Sequence, residues 1–584
     1  MVLNLEVRLY EDKNAPIQAR VDDLLKRMSL EEKVAQLGSV GPDAVLDKQG
    51  EFCPEKAIKA IPFGIGQITR LAGASGLEPL KAAKAANAVQ RFLIEETRLG
   101  IPALLHEECL SGLMAKGGTA YPQAIGLAST WNPDLVKKMT EEIRKQMLAI
   151  SARLGLSPVL DLALDLRWGR VEETFGEDPY LTAVMATHYI KGLQEGPDLT
   201  NSVLGTLKHF AGHGICEGGR NHAPVHIGQR NFRETHLFPY AAAIKEANVK
   251  SVMNAYHDLD GFPCAASKEL LTDILRGELG FDGIVVSDYN SIKMLHTEHQ
   301  VAESKQQAGV LALEAGLDIE LPRTDCYGEL LVEAARSGLI SMETIDEAVR
   351  RHLQLKFLLG LFDNPYVNEK HVIEVFETKE QRELARQLAR ESIVLLRNND
   401  NLLPLDRAKL KSIALIGPSA DNTRNMLGDY VYSAHVDSLE DAVPVVSIYE
   451  GIKTKLGDTV DINYAKGCEI MDEDTSGFAE AITAAQNSDV AIVVVGGRSG
   501  LSGLVSPGDI SDVDFTSIKG RIKDTDGESH DRTNLGLWGV QEDLVKAIYE
   551  TGTPTIVVLI NGRPLAINWI AEHIPAVLEA WLPG

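Results

Sequence analysis

The sequence predicts an α/β protein: an N-terminal (β/α)8 TIM-like barrel followed by a three-layer α/β sandwich domain. Three observations carry this. From about Val21 to Leu361, short apolar runs alternate with longer helical patterns such as Lys268-Glu-Leu-Leu-Thr-Asp-Ile-Leu-Arg-Gly-Glu-Leu, as βα units on a mainly parallel sheet do. Several of those apolar runs stop abruptly at a polar or charged side chain. A second alternating set begins beyond a polar stretch, and a chain of 584 residues is too long for one core.

The strand ends of the first set come in order. Ile101-Pro-Ala-Leu-Leu-His106-Glu-Glu108 ends in an acidic cluster, Leu156-Ser-Pro-Val-Leu-Asp161 in a carboxylate, and Val203-Leu-Gly-Thr-Leu-Lys208-His209 in a basic pair. Ser251-Val-Met-Asn-Ala-Tyr256 ends in a phenol and Gly283-Ile-Val-Val-Ser-Asp288 in a carboxylate. In a barrel of this kind, strand interiors pack and C-terminal strand ends feed the active site, so Asp288 stands where a nucleophile or base would. Taken alone, the same Asp could cap the helix that follows. Five converging polar ends fit a polyol-binding pocket better than five unrelated caps.

Phe362-Asp-Asn-Pro-Tyr-Val-Asn-Glu-Lys is polar with turn signals and reads as the exit from the barrel. The expected division is a barrel over 1–361, a linker over 362–390 and a second domain over 391–584. In that domain Ser412-Ile-Ala-Leu-Ile-Gly, Asp489-Val-Ala-Ile-Val-Val-Val-Gly and Pro554-Thr-Ile-Val-Val-Leu-Ile read as buried parallel strands. Gly496-Gly497 follows a strand, but no Gly-x-Gly-x-x-Gly opens a helix there, so a dinucleotide-binding turn is disfavoured.

A net charge of -25 argues against nucleic-acid binding, because phosphates would be repelled. No run approaches a membrane span, and Met1-Val-Leu-Asn-Leu-Glu-Val-Arg lacks the pattern of a signal peptide, so a cytoplasmic location is the default expectation. The six cysteines are scattered without paired spacing, which suits a reducing compartment. Cys216, His222 and His226 invite a metal check, but Pro224 between the histidines argues for a loop, and no second cysteine lies nearby. Neither metal nor cofactor is expected.

Leu166-Arg-Trp-Gly-Arg170, Glu173-Thr-Phe-Gly-Glu-Asp-Pro179, Lys208-His209-Phe and Ser287-Asp288-Tyr, in this order and spacing, resemble the barrel domain of family 3 glycoside hydrolases. The similarity extends over nearly the whole chain and is greatest to the β-xylosidase and β-glucosidase branch. It implies an exo-acting retaining β-glycosidase that releases terminal β-D-xylosyl or β-D-glucosyl units from the non-reducing end of oligosaccharides or aryl glycosides. Retention needs two carboxyl groups about 5–5.5 Å apart. By resemblance Asp288 is the nucleophile, with Arg170, Lys208 or Arg220 expected to lower its pKa. Gly527-Glu528-Ser-His-Asp531-Arg532 is similar to the loop that carries the acid/base in many members, which points to Glu528, a group that must be protonated near neutral pH.

The resemblance also assigns Arg170, Lys208, His209 and Arg220 to the glycone, and Tyr256 beside the nucleophile. Trp168 is at least as well explained by core packing as by sugar contact, and Asp161, Asp165 and Arg167 by bracing of the loop. Glucosidases of the family commonly have Asp where Glu108 stands and xylosidases Glu, whose longer side chain would exclude a hydroxymethyl group. That tilts the expectation toward pentosides, with dual activity still open.

Two rivals stay in view. The N-acetyl-β-hexosaminidase branch shares the Lys208-His209-Phe-Ala-Gly-His-Gly214 segment but uses an Asp-Ser-His pair, where this chain has Gly219-Arg220-Asn221-His222. A catalytically silent sugar-binding protein is the other. Family members normally continue past the position of Ala580-Trp-Leu-Pro-Gly584, so a C-terminally truncated second domain is expected, with an unpaired sheet edge. The oligomeric state is open, with room for a homo-oligomer.

Overall fold

The computed structural model describes residues 8–196, 198–440, 442–501 and 524–584. In the N-terminal part, parallel strands follow one another in chain order: β1 (Ser39–Val40), β2 (Gln67–Thr69), β3 (Leu104–Glu107), β4 (Ala152–Gly155), β5 (Leu204–Phe210) and β6 (Ser251–Asn254). A small antiparallel hairpin of β7 (Asp258–Leu259) and β8 (Phe262–Pro263) intervenes before the next barrel strand, β9 (Ile284–Val286). Residues 318–321 fill the eighth position. Ile319 bridges Val286 in parallel, while Glu320 N donates to Leu37 O and Ser39 Oγ donates to Glu320 O, which closes the ring.

Every residue of β2 to β6 and of β9 is buried, and strands covered on both faces need continuous apolar runs rather than alternation. One run departs from its expected place. The ladder strand is β4, and the stretch after it, Leu156 to Asp161, runs on beside β5, with Thr206 N donating to Ser157 O, Lys208 N to Pro158 O and Leu160 N to Lys208 O. Pro158 within it has no N–H to donate to a ladder. The stretch still delivers Asp161 to the C-terminal rim.

The segment expected to be a linker holds a 14-residue helix, Lys379–Ser392. Thr378 and Gln381 form a reciprocal capping box at its start, and Leu388 buries against the barrel core. Among the described residues the second sheet has six strands in the order β10 (Val394–Asn398), β15 (Ala576–Glu579), β14 (Thr555–Ile560), β13 (Val490–Gly496), β11 (Ser412–Ile416), β12 (Asp461–Ala465). Only β10 with β15 is antiparallel. Ile413, Leu415, Ile492, Val494 and Ile556 face one apolar layer; Ala414, Ile416, Val493, Val495 and Val557 face the other. Two buried faces give the three layers. The three runs legible in the sequence are β11, β13 and β14. The last strand, β15, lies inside the sheet rather than at an edge. No helix among the described residues is long and apolar enough to cross a membrane.

Candidate active site

The C-terminal rim of the barrel supplies one wall of the site. Glu108 follows β3, Lys208 and His209 lie within β5, Tyr256 follows β6 and Asp288 follows β9. Lys208 Nζ donates to Glu108 Oε2 at 3.1 Å, both side chains being buried. Asp161 Oδ2 accepts from both the backbone and the ring Nδ1 of His209, at 3.0 and 2.8 Å. That bond fixes the proton on Nδ1, and Nε2 accepts from Arg170 Nη2 at 3.0 Å. Burial, and then Arg170, hold His209 well below its usual range, so the ring is neutral.

Asp288 is buried. Its Oδ1 accepts the Tyr289 amide at 2.7 Å, and its own amide donates to Asn254 Oδ1 at 3.2 Å. Oδ2 lies 3.6 Å from His209 Nε2 and has no hydrogen-bond partner among the described residues. One carboxylate oxygen is therefore pinned and the other is left with its lone pairs. Burial pushes the Asp288 carboxyl up to about 6, with Arg170 and Lys208 pulling the other way. This corrects the expected direction: the cations are present, but desolvation outweighs them.

The opposite wall comes from the second domain. Glu528 Oε1 accepts from Arg170 Nη1 at 3.0 Å and from Asn221 Nδ2 at 3.4 Å. Arg170 is itself gripped by Glu173 through two bonds of 2.7 and 2.9 Å. Burial works against its charge, but Glu173, Glu528 and Tyr430 outweigh that and hold it well above its ordinary value. Tyr430 packs on Leu110, Met114 and Val159 of the barrel and lies under Lys208, whose Nζ is 4.8 Å from the ring centre.

Loop 524–532, which carries Glu528, is stitched to the barrel loop 166–170. Arg563, fully buried, pairs with Asp526 at 2.6 Å, donates to the carbonyls of Leu166, Arg167 and Trp168, and also reaches Thr525 O and His530 O. Asp531 accepts the amides of Gly169 and Asn221 at 2.8 and 2.9 Å. Gly527 has φ +109, and a Cβ there would meet Gly500 O at 2.7 Å, so the residue before Glu528 must be glycine.

Seven of the eight residues singled out in the sequence thus come together: Glu108, Arg170, Lys208, His209, Tyr256, Asp288 and Glu528. Arg220 does not. It is exposed and among the described residues reaches only Glu217 O at 3.4 Å, because two left-handed glycines, Gly218 and Gly219, turn the chain so that Asn221 faces the site instead. Trp168 is a core residue, 1% exposed, packed on Ile125, Val171 and Trp581 with Nε1 donating to Asn221. Tyr430, Asn221 and Arg563 had no sequence signal, since each acts through contacts remote in the chain, and Glu173, three residues from Arg170, stood in a motif without a role of its own.

Cys216 lies away from any ligand set with His222 and His226, which pair instead with Glu298 and with Glu217 and Asp260. Among the described residues two other groups bring three ligand atoms within 4.8 Å: Asp161, His209 and His213; and His213, Cys216 and His257. In the first, Asp161 already serves His209. In the second, burial pushes the Cys216 thiol far up, which disfavours the thiolate a metal needs. Neither arrangement fits a resident ion well.

A carboxyl group at the rim of a closed parallel barrel, facing a second one from the other domain among forked donors, is an arrangement suited to glycoside hydrolysis. Comparison sharpens this. The Glycosyl hydrolase family 3 N terminal domain matches residues 29–355 and the Glycosyl hydrolase family 3 C-terminal domain matches residues 393–584, and the chain belongs to glycoside hydrolase family 3. It is 43% identical over 503 residues to a β-xylosidase of Formosa agariphila, covering 83% of this chain and 66% of that protein. It is 31% identical to a periplasmic β-glucosidase of Salmonella typhimurium, over 97% of this chain and 70% of that one. Among solved structures, a β-glucosidase from Erythrobacter marinus superposes with a TM-score of 0.86 at 34% identity, over 98% of this chain and 75% of that one. A β-glucosidase from Listeria innocua in complex with glucose gives 0.82 at 29% identity, over 97% and 73%.

Proposed function

We propose that the protein is an exo-acting, retaining β-glycosidase that removes terminal β-D-xylosyl or β-D-glucosyl units from the non-reducing end of oligosaccharides. One observation carries the reading. Two carboxyl groups from different domains, Asp288 and Glu528, meet across a relay of only two groups, His209 and Arg170. In the first step the free Oδ2 of Asp288 attacks the anomeric carbon while protonated Glu528 gives its proton to the leaving oxygen. The C–O bond to the aglycone breaks and a glycosyl ester forms. Glu528, now a carboxylate facing Arg170, then takes a proton from the water that hydrolyses the ester. Arg170 thus stabilises the form of Glu528 needed in the second step.

The Glu108–Lys208 pair supports a pentoside preference, since it occupies the rim beside the nucleophile with a long carboxylate. The relative named a β-xylosidase, 43% identical, is in keeping with that. The six unpaired cysteines support a reducing, cytoplasmic compartment. The test is turnover of aryl β-xyloside, β-glucoside and N-acetyl-β-glucosaminide with one leaving group, plus NMR of the first-formed sugar. Retained configuration with xyloside or glucoside fastest is expected. Inversion, or preference for the N-acetyl sugar, would overturn it, and silence on all three would leave a sugar-binding protein.

A further inference from the structure

Behind Glu528, at the seam of the two domains, lie two carboxyl groups that the chemistry above does not use. Glu172 belongs to the barrel turn Gly169–Glu173, Asp429 to the second domain, and both are fully buried. Glu172 Oε1 accepts the Asp429 amide at 3.1 Å and the Ser499 hydroxyl. Asp429 Oδ2 accepts the backbone amide of Glu528 itself, at 3.1 Å. Among the described residues, one oxygen of each, Glu172 Oε2 and Asp429 Oδ1, is buried without an N–H or hydroxyl donor, and the Asp429 amide on Glu172 Oε1 holds the two side chains together at the seam.

Two ionised carboxyls cannot hydrogen-bond to each other, and unpaired charge away from water is costly. The charged groups facing the pair give no relief. Arg170 is committed to Glu173 and Glu528, and Arg563 to Asp526. We propose that Glu172 and Asp429 share a single proton, and that this carboxyl pair is the positioning device for Glu528, tying the acid/base loop to the barrel. The proton belongs on Asp429, because Glu172 already accepts two donors and Asp429 only one. Burial and the neighbouring Glu172 hold Asp429 well above the usual carboxylate range, in the same sense.

The inference rests on Glu528 as acid/base, and amide substitutions test it. Asp429→Asn offers Glu172 an N–H and keeps an oxygen for the Glu528 amide. Glu172→Gln keeps its acceptor and offers Asp429 an N–H. Either amide replaces the shared proton, but the double variant has one donor too many and must force two N–H groups together. Each single is expected to retain most turnover of an alkyl β-glycoside, whereas the double loses on the order of a hundredfold, as a misplaced general acid would. Dinitrophenyl glycosides, which need no proton donor, should lose far less in the double. A double variant no worse than the singles, or an Asp429→Asn variant as poor as the double, overturns the proposal. If the parent protein hydrolyses no β-glycoside, the activity reading falls, and infrared spectroscopy still decides on the pair. A carboxylic-acid C=O band at neutral pH that Asp429→Asn removes supports it; absence of that band in the parent overturns it.

Discussion

The two walls of the site are built by opposite means. On the barrel wall Asp288, Lys208 and His209 sit on or directly after strands whose every residue is buried, so the sheet itself fixes them. On the facing wall Glu528 rides a loop, and its place depends on individual bonds: those of Arg563 and Asp531 cross between domains, and that of Asp429 lies within the second domain. A nucleophile must meet one carbon at bonding distance and gains from a rigid frame. An acid/base must serve leaving groups of many shapes, then a water, and a loop anchored at its backbone permits that.

The sharpest contrast should come from removing each carboxyl in turn. Asp288→Asn is expected to cut kcat on the order of 10^4-fold or more for every substrate, the scale of losing a nucleophile, because an amide cannot form the glycosyl ester. The same variant should be more thermostable than the parent at pH 7. With the folded pKa raised to about 6, the parent's stability is full at low pH and declines as pH rises through that value. A Tm difference that grows toward low pH would contradict this. For the same reason kcat/KM of the parent should fall as pH drops through about 6, since attack needs the ionised carboxylate.

Glu528→Ala should split by leaving group. Poor leaving groups should lose roughly 10^2- to 10^4-fold, activated aryl glycosides far less, and added azide should restore turnover through a glycosyl azide. Equal losses without rescue would move the acid/base elsewhere. Arg563→Met tests the stitching rather than the chemistry. It strands Asp526 buried without its partner, at a cost of roughly 3–5 kcal/mol in unfolding free energy, measurable by denaturant titration. Its remaining activity should fall most on poor leaving groups; a uniform loss would mean that the loop is held by other contacts.

The smallest effect is expected at Glu108. Shortening it in Glu108→Asp should open room beside Lys208 and raise the glucoside to xyloside ratio of kcat/KM by on the order of ten- to a hundredfold, the reach of pocket size alone. An unchanged ratio would remove the basis for a pentoside preference.

The barrel wall was legible in the sequence for the reason that makes it rigid: an apolar run buried on both faces that ends in Asp288 or Lys208 can be read without knowing its neighbours. The facing wall was not. Glu528 came into view only by family resemblance, and its bond to Arg170 spans 358 residues. Tyr430, Asp429 and Arg563 sit in stretches whose local pattern says nothing of the barrel. Arg220 misled because family resemblance placed it by its position in the chain, and only the backbone turn decides which side chain points inward. In the second domain β10 and β12 escaped notice because they are half exposed, so no continuous apolar run marks them.

The position of β15 has a consequence for how the molecule is made. This strand, late in the chain, inserts between β10, which opens the second sheet, and β14. While a ribosome is still translating, the barrel can close on local βα units, but β10 waits with its backbone unpaired on the β15 side until residues 576–579 emerge. The second sheet is therefore completed last, and with it the seating of the Glu528 loop. A nascent chain would carry its nucleophile in place well before it could deliver a proton.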